Sequence, residues 1–572
     1  MCGIFLCMCE QSNVSICKEI LKNETIQHFL SRRGPDFFNK LILDHQFDEN
    51  GPKIQLTLLS SLLILRGLNA SFQPLVDKKT GSVLQWNGQI FSGFGNRLNE
   101  EESDTKQLLD ALINVKNDQD EIPSIISSIH GPWALTFWDN CTKRLWIGRD
   151  ILGRRSLCWN TNFRDQVLIV SSVSHVYDES ANRKPLPIGV LNPSMLTFEE
   201  IPTDGIYCFD FGQTYQSFQD VINNVRHFTW NRNISGKLLH SSTVLDSPIK
   251  YQFNCQLPNE DVISRLKSLT TDNEIEQSIP SSVIDSFHQV LSNAVAVRCS
   301  NHQNLCRKCY ARHLKFELSY GDQCDDNENG ESTSEDEVRI GAKSVPKLKS
   351  TKIRECTHAS TAILFSGGLD STVLALLSDQ YIPSHLPIDL LNIAFSNDAP
   401  DRETGLRAWQ ELQSIRPMRR WNFVSIHISK EELEECREKH IRFLVKPSET
   451  VLDDSIGCAI WFATRGKGFL MLEPGDINSF AVYTRARIVL LGMGADEQLG
   501  GYSRHRNAFN RNGWSSLINE MIIDIERISR RNLGRDDRVT SDHGIEARYP
   551  FLDESVINHL NKYQYGTSVT FS

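Results

Sequence analysis

The stretch TAILFSGGLDSTVLALL, residues 361–377, turns an apolar, β-type run directly into a helical one, and the joint is Ser366-Gly367-Gly368-Leu369-Asp370-Ser371. Small residues there let backbone N–H groups approach an anion, and the positive end of the following helix adds a favourable dipole. Those are the requirements of a pyrophosphate site. A glycine pair alone marks many ordinary turns, but S-G-G-x-D-S immediately after a strand is far more specific. No G-K-[ST] follows, so the loop is not a Walker P-loop.

The same rhythm extends around it. TAILF, IDLLNIAFS (388–396), WNFVSIHIS (421–429) and RIVLLG (487–492) alternate with helical stretches such as STVLALLSDQ (371–380) and ETGLRAWQELQSI (403–415). Strand–helix alternation predicts a parallel sheet covered by helices on both faces. RIVLLGMGADEQLGGYSRH (487–505) repeats the first joint, with Gly492, Met493, Gly494, Ala495, Asp496 and Glu497 at a strand end. In a parallel sheet both joints lie at carboxyl ends of strands, where ligands bind. Asp370 and Asp496 are then expected to face one site, and two hard carboxylates beside phosphates suit Mg²⁺.

The N-terminal part reads differently. Short β-type runs such as IQLTLLSSLLIL, SVLQWNGQIF, WALTFWD, KRLWIGRD and QVLIVSSV, broken by Gly, Asn and Asp, predict a layered, mostly antiparallel domain over 1–185. A poorly patterned connector is expected over 186–280, although GIYCFDF (205–211) also reads as a closing strand. SSVIDSFHQVLSNAVAV (281–297) has helical spacing and opens a second domain over 281–572. Inside it, about 318–352 is acidic and then basic, nearly without aromatics, and is expected to be a disordered insertion.

Just before that insertion, CSNHQNLCRKCYARH gathers Cys299, His302, Cys306, Cys309 and His313. Cys306 and Cys309 have the C-x-x-C spacing of a zinc site, but no second well-spaced pair follows. They are read as helix-end cysteines beside a loop. The other cysteines are scattered through apolar surroundings and read as reduced thiols.

The chain also begins MCGIFLCMCE. With Met1 removed, Cys2 carries a thiol and a free α-amine on one residue. A thiol with pKa ~8.5 beside an amine with pKa ~8 that relays its proton is the unit used by N-terminal nucleophiles.

Composition bounds these readings. At 572 residues the chain has room for several domains, and 40% hydrophobic with 23% charged residues is ordinary for a soluble globular protein. A net charge of -10 with pI near 5.9 argues against bulk nucleic-acid or anionic-membrane binding, leaving small molecules or unidentified proteins as partners. No apolar run approaches the roughly 20 residues that cross a bilayer, so a cytoplasmic location is expected.

Cys2-Gly-Ile-Phe, RRGPD (32–36), WNGQIFSG (86–93), SDT (103–105), SGGLDS, GMGADEQLGGY and DRVTSDHGIEARYPFLDE (537–554) stand in the order in which similar segments occur in glutamine-hydrolysing asparagine synthetases. The chain resembles that family over most of its length, and within it the divergent asparagine synthetase domain-containing branch. The resemblance implies an N-terminal nucleophile (Ntn) glutaminase, a four-layered αββα domain of the type-2 glutamine amidotransferases, joined to a parallel-sheet ATP pyrophosphatase (PP-loop) domain; the fold class is thus α+β plus α/β.

It implies that Cys2 attacks the glutamine amide, that Asn87 and backbone Gly88 stabilise the oxyanion, and that Arg33 and Asp104 help hold glutamine. It further implies that Ser366, Gly367, Gly368, Leu369, Asp370, Ser371 and Gly492 bind ATP, that Asp370 and Asp496 hold Mg²⁺, and that aspartate is amidated to asparagine. Against the family pattern, Leu62 stands where an arginine for the glutamine carboxylate is usual, Gln89 replaces an acid, Met493 replaces an acid, and the chain reads as truncated after PFLDE. A catalytically impaired relative and an amidotransferase with another carboxylate acceptor are the alternative functions.

Overall fold

The computed structural model describes residues 2–46, 53–66, 71–93, 103–115, 121–160, 167–178, 196–212, 217–230, 244–245, 249, 257–268, 279–300, 302–312, 356–396, 398–473 and 480–563. The expected insertion over 318–352 and His313 lie outside them.

The N-terminal domain grows from the strand Gly3–Glu10. It pairs antiparallel with Lys53–Leu62 on one side, Phe5 opposite Leu59, and with Val167–Ser171 on the other. A second antiparallel sheet is built around Val83–Gly88, Trp133–Asp139, Arg144–Arg149 and Gly205–Asp210. Side chains on a strand point alternately to its two faces, and the cores divide accordingly. Ile4, Leu6 and Met8 pack with Val83, Ile147 and Leu168, joining the sheets face to face. Phe5, Cys7 and Cys9 turn the other way, into a core with Ile16, Ile20 and Ile26 of the helices Val14–Asn23 and Thr25–Arg33. Leu84 and Trp86 of the second sheet meet Leu108 and Leu112 of the helix Asp104–Ile113. The result is helix, sheet, sheet, helix, the expected αββα order.

The domain runs further than 185. Phe198–Glu200 extends the first sheet, while Gly205–Asp210, Arg226–Trp230 and Val244–Leu245 extend the second, so the described strands inside the connector expected over 186–280 belong to the sandwich. These strands are short and lie toward sheet edges, where one or two inward residues suffice and the alternation is too brief to read.

In the second domain Trp421–His427, Ile388–Ala394, Thr361–Leu364, Ile488–Leu490 and Glu546–Arg548 lie side by side and parallel, with Lys467–Met471 and Phe480–Tyr483 added antiparallel at one edge. From Thr361–Leu364 the chain builds outward in one direction, then returns to build in the other. The crevice between Thr361–Leu364 and Ile488–Leu490 is therefore the switch point of the sheet, the place where open α/β folds bind ligands. Helices Leu369–Asp379 and Pro400–Ile415 fall where the periodicity puts them. Among the described residues no helix is long and apolar enough to cross a membrane.

Buried ion pairs join the domains. Arg154 Nη2 donates to Glu554 at 2.5 Å, Arg33 Nη2 to Asp537 at 2.7 Å, Arg538 Nη1 to Glu200 at 2.6 Å, and Arg487 Nη2 to Asp36 at 2.6 Å. Glu200 also accepts from Arg149 at 2.6 Å, so one carboxylate serves two buried guanidinium groups. Removing one partner of a buried pair strands its charge at a cost of about 3–5 kcal/mol. Glu200→Ala should destabilise the chain by about that amount, read as a lower denaturation midpoint; an unchanged midpoint would show the arginines satisfied elsewhere.

Candidate functional site

Cys2 sits just ahead of Gly3–Glu10, and its side chain packs against an apolar cluster that includes Leu62 and Ile64. Gly3 has no room for a side chain, since a Cβ would stand 2.5 Å from Ser61 Oγ. The Cys2 nitrogen donates to Asn87 Oδ1 at 2.9 Å. That bond fixes the orientation of the Asn87 amide and leaves its Nδ2, which is buried, without a partner among the described residues. A buried donor without an acceptor costs free energy unless something arrives to accept it. Gly88, next along, is equally constrained: a Cβ there would lie 2.6 Å from the Pro132 carbonyl oxygen.

Gln73 completes the surround of the thiol. Its Nε2 is 3.9 Å from Cys2 Sγ, and the side chain is clamped to the Trp86 backbone through Nε2 to the carbonyl at 3.0 Å and from the Trp86 N–H to Oε1 at 2.6 Å. Burial pushes the Cys2 thiol up; the positive chain terminus and a hydrogen bond with the Leu63 backbone oppose this, and Asp104 and Glu546 add to it. The thiol therefore needs a proton acceptor to act at neutral pH.

Asp104 Oδ2 accepts from the Ile90 N–H at 3.2 Å and Oδ1 from the Thr105 N–H at 2.9 Å. Burial raises this carboxyl, and Arg66 lowers it again. Arg66 Nη1 donates to the Ile90 carbonyl at 2.8 Å, so an acid and a guanidinium flank residue 90 from its two backbone groups. Arg33 is not with them. It is fully buried at the end of its helix and turned to Asp537 of the other domain, because RRGPD lies on the domain contact. Leu62 packs into an apolar cluster with Leu305 and Tyr310, while Gln89 is buried with Oε1 unpartnered among the described residues. Gln73 and Arg66 are site neighbours that lie outside the motifs quoted from the sequence.

At the switch point of the second sheet, Gly367 has φ +82°, and a Cβ on it would come within 2.5 Å of Gly405 in the helix Pro400–Ile415. The loop is thereby pulled tight against that helix. Ser366 Oγ accepts from the Gly368 N–H at 3.2 Å, Ser371 Oγ donates to the Gly368 carbonyl at 3.0 Å, and Leu369 is 79% exposed at the rim. A Cβ on Gly492 would lie 3.1 Å from the Asp370 Cβ, so the two motif loops touch.

Asp370, half-buried, is pushed up to about 6 by burial and then by the charges of Asp496 and Glu497. Asp496 is raised by burial and eased by His505 and Arg504. Glu497 is occupied as a brace, accepting from Tyr502 Oη at 2.7 Å and from the Gly494 N–H at 3.0 Å. That leaves Asp370 and Asp496 as the acids a hard cation would find together. Met493 offers only a thioether, which lies 3.4 Å from Asn532 Nδ2.

Residues 1–204 match a glutamine amidotransferase domain, and residues 349–519 and 510–562 match asparagine synthase. Asparagine synthetase domain-containing protein 1 of Homo sapiens is 34% identical, over 98% of this chain and 87% of that protein. The chain belongs to the asparagine synthetase family, in its domain-containing branch. The Gallus gallus member of this branch is 32% identical over 98% of this chain and 89% of its own length. A putative glutamine-hydrolysing asparagine synthetase of Methanocaldococcus jannaschii is 29% identical over 34% of this chain and 31% of its own. As an asparagine synthetase family member the chain carries a glutamine amidotransferase domain followed by an asparagine synthase domain.

Proposed function

We propose that the chain hydrolyses glutamine at Cys2 and passes the ammonia to the second domain, where an ATP-activated aspartate β-carboxylate is amidated to asparagine. The observation that carries this reading is the buried Asn87 Nδ2, unpartnered among the described residues, beside the Cys2 nitrogen. Cys2 Sγ attacks the glutamine amide carbon as its proton passes to the α-amine freed by loss of Met1. The C–N bond then breaks, ammonia departs with that proton, and water hydrolyses the thioester to glutamate. Charge that grows on the amide oxygen meets Asn87 Nδ2 and the Gly88 N–H, donors held in place beforehand.

At the second site the backbone of 366–371 cradles phosphate, and Asp370 with Asp496 would hold Mg²⁺. ATP supplies the leaving group that an unactivated carboxylate lacks. Amide-¹⁵N glutamine with aspartate and ATP should yield ¹⁵N-asparagine and pyrophosphate in equal amounts. Pyrophosphate release that ignores aspartate would replace this reading with one in which another carboxylate is the acceptor, an alternative favoured by Met493 where the family pattern has an acid.

Arg66 and Asp104 take over glutamine's charged ends in this scheme, the guanidinium meeting the carboxylate and the carboxylate meeting the ammonium. Arg66→Ala should then raise KM for glutamine by one to two orders of magnitude, on the order of the 1.5–3 kcal/mol of a charged hydrogen bond, with kcat little changed. A fall in kcat at constant KM would show that Arg66 acts elsewhere.

A further inference from the structure

Cys306 and Cys309, expected to be helix-end cysteines without a common purpose, meet a second pair. Cys356 and His358 lie beyond the undescribed residues 313–355, and the four ligand atoms all fall within 4.8 Å of one another. Cys309 Sγ is 3.9 Å and Cys356 Sγ 3.7 Å from His358 Nδ1. None of the described cysteines is in a disulfide. Cys299 and His302, grouped with them in sequence, go elsewhere: Cys299 into the core of the parallel sheet, His302 Nε2 to Ser360 Oγ at 3.3 Å.

We propose that Cys306, Cys309, Cys356 and His358 form a structural zinc site. With Zn–S near 2.3 Å and Zn–N near 2.0–2.1 Å, a tetrahedron has S–S edges of about 3.8 Å and S–N edges of about 3.6 Å. The sulfur–nitrogen separations already approach those edges. Three thiolates and an imidazole reject hard cations such as Mg²⁺ and Ca²⁺ and select zinc in tetrahedral geometry. An iron–sulfur cluster spreads its ligands over more than one iron, wider than this tetrad. Four protein ligands leave no position for water, so the site holds structure and does no chemistry.

The surroundings fit a zinc ion with three thiolates, whose net charge is negative. Arg485, Lys308, Arg420 and Arg312 all act on His358 electrostatically, a cationic collar for that charge. Arg485 Nη1 stands 2.7 Å from His358 Nε2. With Nδ1 on the metal, Nε2 carries the proton, and two donors cannot face each other. Loading the site therefore turns Arg485 outward, and a cleft of about 470 Å³ bordered by Thr357, His358, Arg420, Tyr483 and Arg485 receives it. Cys306 and Cys356 also belong to the apolar cluster of Leu62, Leu305 and Tyr310, against which Cys2 packs. Zinc would thus clasp the segments on either side of 313–355 and stiffen the wall behind the nucleophile.

The full chain, purified under reducing conditions without chelator, should carry about one zinc per molecule by mass spectrometry of the metal. Cys356→Ser should lower that content at least about tenfold, and Cys299→Ser should leave it unchanged. Should Cys356→Ser fail to fold, the wild-type chain decides alone: Co²⁺ added after zinc removal should give the visible bands of tetrahedral, thiolate-bound cobalt. Protein without zinc that gives no such bands when reduced, or protein holding iron and acid-labile sulfide, would overturn the assignment.

Discussion

Cys2→Ala should abolish glutamine hydrolysis while leaving the ammonia-dependent reaction intact. The substitution removes the atom that bonds to the amide carbon, and Gln73, Asn87 and Asp104 around it offer no thiol or hydroxyl in its place. Asn87→Ala should retain the thiol yet lose about 10²–10³ in rate, because a preorganised donor to the oxyanion is removed. Glutamate release from glutamine measures both. The same argument requires a free amine on Cys2, so N-terminal mass analysis should find Met1 absent. Undiminished hydrolysis by Cys2→Ala, or an active protein that keeps Met1, would remove Cys2 from the mechanism.

The second large effect belongs to the carboxylates at the switch point. Asp370→Asn and Asp496→Asn should each reduce ATP-dependent pyrophosphate release by a factor on the order of 10²–10³, since each withdraws a charge from a site that works electrostatically. ATP with Mg²⁺ should raise the melting temperature of the unaltered chain, by about 2.7 kcal/mol of stabilisation at a hundredfold excess over Kd, and the variants should lose most of that shift. The ligand-free Asp370→Asn chain should melt slightly higher than the parent. Asp370 is pushed up to about 6 by burial and by its acidic neighbours, so its ionised form at neutral pH opposes folding, and the opposition fades as pH falls through about 6. A variant that binds ATP·Mg²⁺ unchanged would place the metal elsewhere.

How much of this was legible in the sequence depends on how far apart the cooperating residues lie. TAILFSGGLDS could be read because strand, loop and helix N-terminus are contiguous, and a ligand loop of that kind is defined by its own backbone. A layered, antiparallel N-terminal domain was legible from alternating runs long enough to show a period, and its αββα order from the family resemblance; GIYCFDF was legible as a closing strand, whereas Phe198–Glu200, Arg226–Trp230 and Val244–Leu245 are too brief to show a period. Arg33 looked like a glutamine ligand from its place in the family-like RRGPD; its direction is set by Asp537, about five hundred residues away. Arg66 lies outside every quoted motif, and it reaches the site only because the chain leaves the strand at Leu62 and turns back to Ile90. The cysteine–histidine tetrad was passed over for a similar reason. Its second half is C-x-H rather than C-x-x-C and comes after the insertion, and only the fold brings the halves together.

The buried ion pairs between the domains also bear on how this chain changes over generations. Glu200 is tolerable in its place only while Arg149 and Arg538 stand opposite it, and Arg538 comes from the other domain. The same holds for Arg33 with Asp537 and Arg154 with Glu554. Neither half can lose such a residue alone without stranding a charge in the interior. Changes at these positions are therefore expected to come in pairs across the two domains, and a half taken from a distant relative would join this one only if its acids and arginines came with it.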